Sequence, residues 1–421
     1  MRQQKARLTR LLGRGLCSAT FAAAAMLGTG PAQAATQGPV RIGVIGFKEH
    51  PLGIGIIQAA EVAVDEINAS GGVDGRQVKL YEYDDHGKAD VAVRAFQRAV
   101  KQDHVVAMVG AFISEIDFAL IPWAARYHIP YIGGGASNKI GNMVHNDYKR
   151  YKYVFEQSNN AYYLARTACD ISSYALVKRF GFKTAVIMSE DAAWTKPLDK
   201  AYEECLPKAG LKIVGHIRYA PDTTDFTPIY NKIEALHADV IMAGMAHTGL
   251  KPTVQWHDQH VPALLAGINV QAGASNFWDK TNGAATGVIT WNTGAPGAAL
   301  TPRSVPFQKA FSKRFGGTPT LEAYMTYDSM YALKQAIERA HSTRPDALVA
   351  ALEKTDIVGT MGRMEFYGRK ARFTHDVKYG ANLVSGVGIQ WQNGKQVAIW
   401  PPQAANGTPV LPDFVKSAQR N

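Results

Sequence analysis

The sequence predicts a mixed α/β protein of two lobes, each a parallel sheet wrapped by helices. Three observations predict it. Apolar runs of strand length, such as 105–109, 185–188 and 240–243, are continuous rather than alternating, as strands buried on both faces require. Amphipathic helices lie between them: Ile56, Ala60, Val64 and Ile67 share one face, as do Ala89, Val93, Phe96 and Val100. The chain of 421 residues also exceeds what one hydrophobic core usually serves.

Ahead of the first strand stands a segment of different character. Arg2, Lys5, Arg7, Arg10 and Arg14 come without an acid, an alanine-rich apolar run follows from Leu16 to Leu27, and Pro31-Ala32-Gln33-Ala34 closes it. This is the three-part pattern of a secretory signal, with cleavage expected after Ala34 and export to the periplasm. The apolar run falls short of the roughly 20 residues of a membrane span. Cys17 precedes that run rather than following it, which argues against a lipoprotein anchor. The formal net charge of +11 therefore owes five charges to the leader. No Lys/Arg cluster remains to suggest nucleic acid. Beyond the leader stand Cys169 and Cys205, on predicted helices either side of the strand 183–188. A bridge between them and two unpaired thiols are both open, because disulfide geometry is strict.

In order, the strands are 40–45, 78–85, 105–109 and 131–132, with helices ending at Asn68, over 89–100 and over 116–127. Turns such as Ser70-Gly71-Gly72-Val73-Asp74-Gly75 and Pro221-Asp222-Thr223 punctuate the pattern. A long helix over 162–180 opens a second set, with strands at 183–188, 211–219, 239–243, 263–265 and 287–291. Helices at 305–315 and 321–340 follow, then short strands at 364–366, 388–391 and 397–400. Residues 403–421 read as a flexible tail.

The loops carry little that looks catalytic. Gly133-Gly134-Gly135 follows a short strand; it could offer N–H groups to an anion or simply make a tight turn. It lacks the spacing of a nucleotide-binding loop. Ser114 ends a buried strand and opens a helix, so its hydroxyl can cap that helix or donate to a ligand at its positive end. No Gly-x-Ser-x-Gly surrounds it. His257 and His260 share a helix face without a third metal ligand at suitable spacing, so no metal is expected. Asp84-Asp85-His86 has the make-up of an acid/base cluster but reads as capping the strand end and the next helix. His247 lies just past a buried strand, at a possible cleft rim. Trp194, in the loop after 185–188, can wall a pocket and donate one hydrogen bond, or anchor on the surface. Tyr324, Tyr327 and Tyr331 recur at helical spacing and read as core.

Taken in order, several segments resemble one family. They are Ile42-Gly43-Val44-Ile45-Gly46, Asp65-Glu66-Ile67-Asn68-Ala69-Ser70-Gly71-Gly72, Tyr83-Asp84-Asp85, Gly110 through Ser114, Pro130 through Asn138, and Gln390-Trp391-Gln392-Asn393-Gly394-Lys395-Gln396-Val397. The family is the type I periplasmic solute-binding proteins of ABC importers, of the branched-chain amino acid (Leu/Ile/Val) class. The resemblance implies two Rossmann-like lobes joined by three crossovers, with a ligand cleft between them. Lobe 1 would be 35–155 plus 297–361, and lobe 2 would be 156–296 plus 362–402. It implies a monomer that binds a small molecule without cofactor or chemistry and delivers it to membrane permease subunits. Ser114, Ala136 and Ser137 would hold a carboxylate or amide. Phe112 would give apolar contact, and Trp194, His247 and Asn269 would complete the pocket. Asn269 stands where the family places an acid for the ligand's ammonium, which favours an organic acid or amide as the alternative ligand. A soluble sensor subunit and an exported hydrolase using Ser114 are the other readings.

Overall fold

The computed structural model describes residues 38–418, apart from position 381; the expected signal segment and its cleavage site lie outside the described residues. The chain begins with β1 (Val40–Gly46), α1 (Pro51–Ala69), β2 (Val78–Asp84), α2 (Ala89–Lys101), β3 (Ala107–Gly110), α3 (Ser114–Tyr127), β4 (Tyr131–Gly133), α4 (Lys139–Asn146), α5 (Tyr148–Tyr151) and β5 (Val154–Glu156). These strands form one parallel sheet in the order β2-β1-β3-β4-β5. β3 is buried at all four positions, which is why it reads as an unbroken apolar run. Pro51 opens α1, where its fixed φ and missing N–H cost nothing. His50 Nδ1 caps that helix by accepting from the Leu52 N–H at 3.2 Å.

After α6 (Ala161–Ser172) and a π-helical turn over Ser173–Lys178, a second parallel sheet follows. It comprises β6 (Thr184–Glu190), α7 (Thr195–Ala209), β7 (Lys212–Tyr219), α8 (Thr227–Ala235), β8 (Val240–Met245), α9 (Leu250–Asp258) and β9 (Leu264–Asn269), with strand order β7-β6-β8-β9. Next come α10 (Phe277–Lys280), β10 (Ile289–Asn292), α11 (Ser304–Phe315), α12 (Leu321–Ala340), α13 (Pro345–Leu352), β11 (Ile357–Val358), β12 (Arg363–Met364), β13 (Val387–Gln392), β14 (Lys395–Trp400) and α14 (Asp413–Ala418). The chain passes to the second sheet after β5, and returns after β10 to pack α11 and α12 on α1. It goes back when β13 pairs antiparallel with β10. These are the three crossovers between two α/β lobes. Tyr331 on α12 donates to Glu66 of α1 at 2.8 Å, and Tyr324 is fully buried, so the tyrosine repeat is packing.

Three local findings go beyond the sequence. The expected flexible tail packs against the body over its described residues: Phe414 meets the Trp256 ring at 5.1 Å, Val415 is fully buried, and Gln390 Nε2 donates to the Val410 carbonyl at 2.7 Å. Apolar contacts of α14 with α9 override a polar, proline-rich composition. Cys169 of α6 and Cys205 of α7 form a disulfide. Finally, the triple glycine has none of the left-handed φ values that would make it a special turn. It is instead a place of close approach. A Cβ on Gly133 would stand 2.9 Å from Glu156 Oε1, and one on Gly135 would stand 2.1 Å from Asp117 Oδ2. The Gly135 N–H that an anion would need already donates to Asp117 at 2.6 Å.

Those glycines make room for buried acids. Asp117 also accepts from the Tyr131 hydroxyl, and burial pushes its carboxyl up to about 7. Asp376 lies in a segment bridged to β5, and its Oδ2 accepts from Asn160 Nδ2 at 2.7 Å while Oδ1 has no partner. Burial pushes this carboxyl up to about 8. Both oxygens of Glu156 lack partners, and burial, then the neighbouring acids, hold it well above the usual range.

Two outcomes are expected. Replacing Cys169 and Cys205 together by serine lowers stability by about 2–4 kcal/mol, measured by urea denaturation; an unchanged midpoint would contradict it. For Asp117 and Asp376 the folded state binds protons that the unfolded chain has lost. Stability should therefore decline as pH rises from about 4, the unfolded carboxylate value, through about 7 to 8. Asp376→Asn keeps the bond from Asn160 and should raise Tm at pH 8 while changing it little at pH 4.

Candidate ligand-binding cleft

In each sheet the strand order reverses once beside the first strand, between β1 and β3 and between β6 and β8. Helices leave such neighbours in opposite directions, so the loops at the carboxyl ends part and leave a crevice. The four loops concerned supply Phe47 and His50, Phe112 to Glu115, Trp194, and Ala246 with His247. All of them line one cavity of about 280 Å³. A bond spans it: Glu115 of α3 accepts from the Ala193 N–H, ahead of α7, at 3.2 Å.

One wall is a stack of rings. His50 lies 5.8 Å from Phe47 and 5.1 Å from Phe112, centroid to centroid, with nearly parallel planes. Burial lowers the His50 pKa to about 4, helped by the charges of Lys280 and His247, so at neutral pH this ring is an uncharged surface. Trp194, Trp291 and Ile268 continue the apolar lining.

The opposite wall is organised by Glu190, the last residue of β6, whose side chain is fully buried. It accepts backbone N–H bonds from Ala246, His247 and Thr248, each at 3.0 Å at best, and the Thr248 hydroxyl at 2.9 Å. The His247 ring Nδ1 lies 2.7 Å away. Burial pushes the Glu190 carboxyl up, but the His247 ring and these donors outweigh it, so the pKa lies below the usual value. Conversely the bond to Glu190 raises His247 against the effect of burial. The contact favours an ionised Glu190 and a protonated His247 together. The Trp194 indole N–H points to Glu190 Oε1 at 3.4 Å, which fixes the ring as a wall and takes up its donor.

Five of the residues singled out in the sequence, Phe112, Ser114, Ala136, Trp194 and His247, line the cavity together. Ser114 is not the helix cap; that position is Ile113, and Ser114 is the first helical residue, buried against the cavity. Its hydroxyl makes no hydrogen bond among the described residues. Two others are placed differently. Ser137 is buried beside the start of α4, where Oγ accepts from the Lys139 N–H at 3.4 Å. Asn269 holds its own turn: Oδ1 accepts from the Ala272 N–H at 3.3 Å, and Nδ2 donates to Thr253 Oγ1 at 3.3 Å. Its neighbours Ile268, Val270 and Gln271 line the cavity instead.

Sequence reasoning missed Glu190, His50 and Glu322. An acid two positions past the apolar run 185–188 was the available signal for Glu190. Away from the cleft, Asp84 and Asp85 accept from the His86 and Gly87 N–H groups, both at 2.8 Å, so they cap the turn at the strand end; they do not cap the next helix, whose N-cap is Lys88 without a side-chain bond. His257 and His260 flank Phe414. Among the described residues one group with metal-like geometry occurs, Glu49, Asp84 and His86 at the surface.

Known proteins share this architecture. Residues 39–381 match the periplasmic binding protein family. A Leu/Ile/Val-binding protein homolog 7 from Brucella melitensis is 25% identical over 368 residues, covering 84% of this chain and 88% of its own. The solved structure of a putative branched-chain amino acid ABC transporter protein from Silicibacter pomeroyi superposes with a TM-score of 0.77 at 20% identity, over 89% of this chain and all of its own. An R. palustris ABC transporter solute-binding protein in complex with benzoate superposes with a TM-score of 0.70 at 17% identity, over 90% of this chain and 99% of its own. With two parallel-sheet lobes, three crossovers and a shared crevice, the chain belongs to the periplasmic binding protein family.

Proposed function

We propose that this protein is the periplasmic capture subunit of an ABC importer, which closes on a small organic solute of the branched-chain amino acid class and delivers it to permease subunits. The observation that carries the reading is the cavity itself. Both lobes build it from their crevice loops, its walls are largely apolar, and the Glu115–Ala193 bond joins its two sides. A ligand that touches both lobes stabilises the closed form in proportion to its preference for that form. Export through the amino-terminal leader, with cleavage after Ala34, belongs to the same reading. No helix among the described residues is long and apolar enough to cross a membrane.

Binding rather than turnover is supported by Ser114, which lacks a hydrogen-bonded base among the described residues. Nucleophilic activation needs one. A second reading, in which the solute is an aromatic acid, draws on the flat stack of Phe47, His50 and Phe112 and on the benzoate complex of the R. palustris neighbour.

A thermal-shift panel of leucine, isoleucine, valine, phenylalanine, benzoate and simple amides tests the proposal. At a concentration of about 100 times Kd a true ligand adds roughly 2.7 kcal/mol and raises Tm by several degrees. Absence of any shift up to millimolar concentration would count against solute capture. Trp194→Ala removes a preset aromatic wall and should weaken the best ligand by about 30-fold or more. Titration calorimetry measures this, and an unchanged Kd would remove Trp194 from the site.

A further inference from the structure

Two carboxyls among the described residues line the cavity, and they are placed in opposite ways. Glu322, in the first turn of α12, is only 4% exposed. Glu115, in the first turn of α3, is exposed and leaves its own lobe: Oε1 accepts from the Ala193 N–H at 3.2 Å, 78 positions along the chain. Among the described residues Glu115 makes no side-chain ion pair. Lys196, the cation in the first turn of α7, pairs with Asp191 at 3.5 Å instead.

What Glu115 reaches is the amino-terminal end of α7. That helix of 15 residues has no acid in its first turn, and its N-cap residue, Trp194, makes no side-chain capping bond. The free N–H groups and partial positive charge of such an end favour an anion beside it. Asp191 is the neighbouring acid, but it is held by Arg218 at 2.8 Å as well as by Lys196. The facing lobe supplies the anion. Because Glu115 also sits in the first turn of α3, its carboxylate lies at the positive ends of two helices, one from each lobe. His247 belongs to the same field: the bond to Glu190 is the main force raising its pKa, and Glu115 adds to it from across the cleft.

We infer that Glu115 is the latch of the cleft: its carboxylate serves the start of α7 only while the two lobes are together, so it slows reopening, with or without a solute, and need not touch the solute to do so. This rests on the capture reading above, since a latch presupposes a cleft that opens. Both partners are exposed, so parting returns them to water without stranding a buried charge. Exposed charge-assisted contacts are weak and screened by salt, which lets such a latch break in every cycle of capture and release.

The test compares the unaltered chain with Glu115→Ala, Ala193→Pro and the double variant, using leucine, phenylalanine and benzoate as probes in stopped-flow tryptophan fluorescence. Glu115→Ala should speed the dissociation of each bound probe by about 2- to 10-fold, the worth of one hydrogen bond. Ala193→Pro deletes the N–H from the other side and should give the same factor, and the double variant should add nothing further. Additive effects, or an unchanged rate in Glu115→Ala, would overturn the latch and leave solute capture standing. Small-angle X-ray scattering on the solute-free protein is the second readout. Glu115→Ala should enlarge the radius of gyration, and high salt should enlarge that of the unaltered protein but not that of the variant; an unchanged radius in the variant would overturn the latch. If no probe binds, the capture reading falls and the scattering still decides the latch, as it does if the proline variant folds poorly.

Discussion

The reversal of strand order is the constraint on which the rest of the molecule depends. Where β1 meets β3, and again where β6 meets β8, the connecting helices must leave on opposite faces, because parallel connections are right-handed. Backbone at those points parts without any residue being asked to part it. The molecule does this twice, and the chain's three passages between the lobes turn the two crevices towards each other. Everything chemical at the cleft is then a matter of which side chains the four loops bring.

Those loops are held by charge. Glu190 collects three backbone N–H groups, a hydroxyl and an imidazole within hydrogen-bond reach, so the loop after β8 is pinned to the end of β6. Buried carboxylates persist when paired and fully bonded, and this one is. The acids beneath the first sheet are the opposite case. Asp117, Glu156 and Asp376 sit without a cation, and burial raises all three carboxyls and so favours their protonated forms. One lobe thus stiffens its rim with a fully bonded carboxylate, and the other carries carboxyls that a change of surroundings can ionise.

The fold was legible because strands covered on both faces leave an unmistakable trace. The runs 105–109, 185–188 and 240–243 became β3, β6 and β8 with ends shifted by one or two residues, whereas β5 escaped notice at three residues. The site was only partly legible. Ser114, Trp194 and His247 could be found because each follows a recognisable strand end. Asn269 and Ser137 also follow strand ends, yet their side chains serve local turns, a choice made by neighbours that no spacing rule names. Glu190 and Glu322 were invisible for a related reason. A carboxyl is ordinarily a surface group, and its burial here comes mainly from partners on the loop after β8, more than fifty positions away, and from a helix that returns after β10. The glycine triplet shows the same limit: its purpose lies in the acids it admits, not in its own backbone angles.

The anchored indole has one kinetic consequence. Because Trp194 is tied to Glu190 and almost fully covered, its rotamer is chosen before any guest arrives, and no side-chain entropy is left to be lost on arrival. A guest cannot escape by having that ring swing aside. Departure must wait for the halves to separate as bodies, so residence time would follow the frequency of hinge opening rather than the mobility of any one side chain.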